Sequence, residues 1–184
     1  MDDRAIEIRM RILAEVSAGA WVRAKREIDE SGCSLDSREA WELFAEFAFV
    51  LYFLALQYIA QRVLEDQHSL LGELHGMFST VAVTFYKHRA GDSRWASTSV
   101  FRATLDQRIQ RFSQCESIDA SGMFMPESVA SSNSVFGQFF AQLPEPWRSR
   151  LASPVSLIAQ RMYLSATATQ LTETIDPLLD LATR

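Results

Sequence analysis

The sequence predicts an all-α protein: a single-domain helical bundle of five to seven helices around a long central helix at about 37–66. Three observations carry this reading. Apolar residues recur at three- and four-residue spacing through most of the chain. Gly and Pro number only seven and five in 184 residues, too few for a turn-dense all-β fold. Hydrophobic residues reach 48% while the net charge is only -5, which excludes a disordered chain.

The first helix is expected over about 3–30, with Ala5, Ile8, Ile12, Val16, Trp21, Ala24 and Ile28 on one face. Ser17-Ala18-Gly19 is a candidate kink, because Gly inside a helix costs about 1 kcal/mol relative to Ala. Gly32 should stop the helix. The central helix is expected to open on a capping box, Asp36-Ser37-Arg38-Glu39, with Asp36 as the cap. Its aromatics (Trp41, Phe44, Phe47, Phe49, Tyr52, Phe53, Tyr58) point in nearly every direction, as in a helix that other helices surround.

A third helix is expected over about 69–90, ended by Gly91-Asp92. Leu70, Leu74, Met77, Val81 and Phe85 form its seam, and Gly72 and Gly76 are placed to admit a close neighbouring backbone. The 81–85 stretch has β-propensity, but the helical period on both sides outweighs it. A fourth helix over 97–114 points Phe101, Leu105, Ile109 and Phe112 inward. All five prolines fall in the last third. Residues 116–134 are Ser-rich and read as a mobile loop within the domain. Two short helices follow, near 135–143 and 147–151. Ser153-Pro154 then starts a last helix, which Asp176-Pro177 should close.

Charge is unevenly spread. Residues 31–84 hold two basic and seven acidic side chains, and residues 85–115 hold six basic and two acidic ones. With a pI near 5.2 the whole chain is a poor candidate for nucleic-acid binding. Cys33 and Cys115 lie far apart with no CxxC, which suits a reducing compartment. The longest apolar run, from Phe47 to Leu56, is half the length of a membrane span, and no secretory leader is evident. The expectation is a cytoplasmic protein that does not enter a membrane.

Catalytic signals are few. Gly-x-Gly-x-x-Gly, Walker and Gly-x-Ser-x-Gly patterns are absent, so no cofactor is expected. Glu65 and His68 have the Glu-x-x-His spacing of half a di-iron bundle site, and His75 stands two turns further on. These three are the candidate metal ligands. Arg62 and His68, with five residues between them at the end of a long helix, resemble the Arg/His signature of HEPN-type helical ribonucleases. That resemblance covers two residues and would make Arg62 and His68 catalytic on a phosphodiester. Val63 stands where the family commonly has a polar residue, and the acidic surroundings oppose RNA.

One stripe of the central helix joins Glu39, Glu42, Glu46, Val50, Phe53, Gln57 and Gln61. It reads as a solvent-facing edge, as an apolar notch with a polar rim, or as a polar pocket turned into the bundle. On the second reading Glu46, Val50, Phe53 and Gln57 form an interface. The functional expectation is therefore a non-enzymatic interaction or regulatory module that self-associates or binds another protein. The alternatives are a metal-dependent or HEPN-like RNA-acting enzyme centred on Arg62, Glu65 and His68, and a carrier of an apolar small ligand inside the bundle.

Overall fold

A computed structural model describes residues 3–62, 68–118, 129 and 132–182. Among them are seven helices and no strand beyond an isolated bridge: α1 (Asp3–Ser31), α2 (Arg38–Arg62), α3 (His68–Ala90), α4 (Thr98–Ser113), α5 (Val135–Gln142), α6 (Trp147–Leu151) and α7 (Pro154–Ala182). The fold is the all-α bundle that the periodicity predicts.

Helix α2 is the axis. It spans about 37 Å at 1.5 Å per residue. It packs against α1, α3, α4, α5 and α7, while Trp147 of α6 donates its indole N–H to the Glu39 carbonyl at 3.1 Å. Fifteen of its residues are buried on every side of the helix. By length and composition α2 could cross a membrane, but here its apolar stretch is mostly covered by neighbouring helices. Aromatic rings fill the space around it. Trp41 and Phe44 stack at 5.8 Å, Tyr86 meets Trp41 edge-on at 4.8 Å, and Tyr52 stacks on Phe78 at 4.0 Å. Such offset and edge contacts add to the stabilisation that area burial alone supplies.

Several local expectations change. The cap of α2 is Ser37, whose hydroxyl accepts from the Ala40 amide at 3.1 Å, and not Asp36. Helix α1 runs through Ser17-Ala18-Gly19 unbroken. Gly19 serves packing: a Cβ there would meet Thr167 Cγ2 at 2.9 Å, so its bare backbone lets α7 approach α1. Gly72 and Gly76 instead face open space, and no neighbour uses them. The buried seam of α3 is Leu74, Phe78, Ala82 and Tyr86, which leaves Met77, Val81 and Phe85 half-buried on its flank.

Asp176-Pro177 does not end the last helix, which continues to Ala182. A proline inside a helix loses one N–H and crowds the carbonyl four residues earlier. Both Pro177 and Glu173 are exposed, so the freed carbonyl can turn to water, while buried Leu178 and Leu179 hold the final turn inward. The expected mobile loop lies largely outside the described residues. At its two ends, the Glu116 amide donates to the Asn133 carbonyl at 3.1 Å and the Val135 amide to the Ser117 carbonyl at 2.9 Å.

Candidate interaction surface

Helix α7 begins where the Ser153 hydroxyl accepts from the Ser156 amide at 3.1 Å and Pro154 takes the first helical position. Between Pro154 and Thr172 it carries a single charged residue, Arg161. Leu157, Gln160, Leu164, Leu171 and Ile175 turn inward. The opposite side shows Val155, Ile158 and Met162, which are 78%, 41% and 66% exposed. Their spacing of three and four residues makes them a continuous ridge, the arrangement of a helix-pairing seam. A water-facing helix ordinarily puts charged side chains there.

Further along α7, past the end of this ridge, a groove between α1 and α7 of about 410 Å³ is lined by Glu15, Val22, Arg23, Arg26, Tyr163 and Thr167 among others. Val22 on its α1 wall is exposed. A buried polar network fixes the groove. Arg23 pairs with Glu27 at 2.5 Å and donates to Gln160 Oε1 at 3.1 Å, and Gln160 in turn donates to Glu27 at 3.0 Å. The Arg23 guanidinium lies 4.1 Å from the Tyr163 ring centre, and Arg26 donates to the Tyr163 hydroxyl. Burial pulls the Arg23 pKa down, while Glu27 opposes the shift. The hydrogen bonds of this network join α1 to α7, while the Arg23 guanidinium also lies 5.9 Å from the Phe47 ring centre of α2.

The residues singled out from sequence fall elsewhere. Glu46, Val50 and Phe53 do not form an exposed notch. Val50 is 1% and Phe53 4% exposed, and Phe53 packs on Phe112 with ring centres 5.4 Å apart. Helix α4 covers this side of α2 at Glu46 and Phe53, while Val50 faces Val135 and Phe136 of α5 and Leu164 of α7. Glu46 faces inward to Arg108, whose Nη2 lies 2.5 Å and Nε 2.9 Å from its two carboxylate oxygens. Glu46 turns inward as one ion pair and not as a polar pocket, and only Gln57 of the four remains exposed.

The candidate metal and nucleolytic residues are engaged separately. Arg62 is exposed, 3.2 Å from Asp176 of α7, and its guanidinium lies over Tyr58. His75 Nε2 stands 2.8 Å from Asp106 of α4. Glu65 and the His68 side chain lie outside what the structure describes. Among the described residues no three His, Cys, Asp or Glu side chains converge as a metal site would require. Cys33 and Cys115 are both free thiols.

The class that this architecture defines is an all-α bundle whose last helix carries one charge in its first nineteen residues. Comparison with protein-family models, with characterised proteins and with solved structures finds no match to this chain. The ridge on α7 was absent from the residues picked out in sequence, although its signal was there: nineteen helical residues with one charge.

Proposed function

We propose that the protein is a non-enzymatic interaction module that works as a dimer of identical chains through the α1–α7 face. The observation that carries this is the charge-free exposed ridge of Val155, Ile158 and Met162 on α7. A second copy is the occupant that fits. The ridge offers no charge for a charged partner to read and none to repel itself, so a twofold axis can lay it against the same surface of another chain. Burying one such side chain fully contributes about 1.5–3 kcal/mol, and the six contributed by two copies are set against an association cost of about 4–15 kcal/mol.

Sedimentation equilibrium tests the reading. The unmodified protein is expected to run at twice the mass of one chain at high-micromolar concentration. Met162→Glu, which places a charge on an exposed ridge position, should return it to a single chain with helicity unchanged by circular dichroism. A monomeric wild type at that concentration overturns the proposal, as does a Met162→Glu protein that remains dimeric.

A further inference from the structure

A cleft of about 490 Å³ lies over the first half of α2, walled by α4 and by the connection from α5 to α6. Trp41, Phe49, Trp95 and Phe101 give it four aromatic rings, and Val100 and Pro144 extend the apolar lining. Helices α2 and α4 run in the same direction here, because Trp41 meets Phe101 at 5.7 Å and, further along both, Phe53 meets Phe112 at 5.4 Å. Trp41, Trp95 and Val100 therefore belong to one end of the cleft. Pro144 joins them there, since Trp147 just after it is hydrogen-bonded to the Glu39 carbonyl. Glu46 and Arg108 close the other end.

The charges in the lining are spent on one another. Arg38 donates to Glu42 at 2.7 Å, and Arg108 holds both carboxylate oxygens of Glu46. The lining is thus neutral in sum and offers no unpaired charge to an ionic ligand. One hydrogen-bond donor is left over. Trp41 is only 6% exposed, yet its indole N–H has no partner among the described residues, unlike that of Trp147. A buried indole N–H ordinarily finds an acceptor. This one is not sealed off as the Tyr52 hydroxyl is, so an acceptor reaches it through the cleft that Trp41 lines.

We propose that this cleft binds a neutral planar aromatic molecule through a carbonyl-type acceptor, which takes the Trp41 indole N–H while its rings lie against Trp95, Val100 and Pro144. An apolar, aromatic lining with one placed polar group is how small-molecule sites combine affinity with orientation. Trp95 and Val100 are 38% and 60% exposed, so a ring laid on them removes apolar surface from water. The volume is roughly three times that of a cavity holding one benzene, which leaves room for two fused rings and a substituent. The cleft and the α7 ridge share no residue, and the proposal stands apart from dimerisation.

Titration of isotope-labelled protein with naphthamide, naphthoate and naphthylmethylamine tests it, followed through the four tryptophan indole N–H signals by nuclear magnetic resonance. With naphthamide the Trp41 signal should move downfield and saturate at one ligand per chain, and the Trp95 signal should move with it. The signal of Trp21, which does not line the cleft, should stay in place. Naphthoate and naphthylmethylamine should bind several-fold more weakly. Trp41→Phe keeps a ring but deletes the N–H, and should weaken naphthamide binding about tenfold. Trp95→Ala, at an exposed position, should weaken it several-fold even if Trp41→Phe does not fold. The proposal is overturned by a Trp41 signal that does not shift saturably, by tighter binding of either charged probe, or by undiminished binding in either folded variant.

Discussion

Arg108 of α4 and Glu46 of α2, 62 positions apart, form a bidentate ion pair in which both side chains are about nine-tenths buried. The pair joins the acidic and basic stretches of the chain at the point where α4 crosses the central helix. An isolated carboxylate in that place would be strongly unfavourable, and the two-pronged guanidinium contact is what makes it tolerable.

Removing one partner should therefore be worse than removing both. Arg108→Met leaves Glu46 buried without compensation and is expected to cost about 3–5 kcal/mol in urea unfolding. The double change Glu46→Met with Arg108→Met should recover most of that loss. A double variant as unstable as the single one would show that packing, not charge, sets the cost.

The same site predicts a pH dependence. Burial pushes the Glu46 carboxyl above the ordinary carboxylate range, and the Arg108 hydrogen bonds draw it only part of the way back. The folded chain thus keeps this proton at pH values where the unfolded chain has released it. Its contribution to stability is greatest below the ordinary carboxyl range and falls as pH rises through the raised value. Urea midpoints measured across that window should decline for the wild type more than for Glu46→Gln. Equal slopes for the two proteins would refute the assignment.

Gly19 and Thr167 make a second test. Gly19→Ala should gain about 0.5–1 kcal/mol in helix propensity, but its methyl would press on Thr167 Cγ2. The single variant is expected to be neutral or destabilised. Thr167→Ser removes the opposing methyl, so Gly19→Ala should become stabilising in that background. Additive effects of the two changes in thermal melts would contradict the close approach of α1 and α7.

Phe53 distinguishes core from surface on α2. Phe53→Ala should cost about 3–5 kcal/mol, and Phe53→Glu should prevent folding. Gln57→Glu, one turn further along and exposed, should change stability by less than about 0.5 kcal/mol. Circular dichroism melts that show a folded Phe53→Glu chain would return this stripe to the surface.

These cases mark how far the chain could be read in advance. Helix content, the central place of α2 and the stops at Gly32 and Gly91 were legible, because each depends on residues within a turn or two. A helix apolar on all sides is one that other helices or a membrane must surround, and both glycines take the positive φ that closes a helix. The scarcity of charge in the first nineteen residues of α7, where Arg161 stands alone, was equally legible as sequence, though its meaning depended on knowing which side faced out.

What the tertiary structure alone decided is which neighbour covers which face. Glu46, Val50 and Phe53 share a stripe with exposed Gln57, and only the packing of α4, α5 and α7 over it separates the buried part from the rest. Pro177 should have stopped α7, yet distant burial of Leu178 and Leu179 carries the helix past it. The Arg108–Glu46 pair and the cleft between α2 and α4 belong to the same category. Local propensity acts over a few residues, whereas these features arise from side chains brought together by helices far apart in the chain, and no local pattern encodes that crossing.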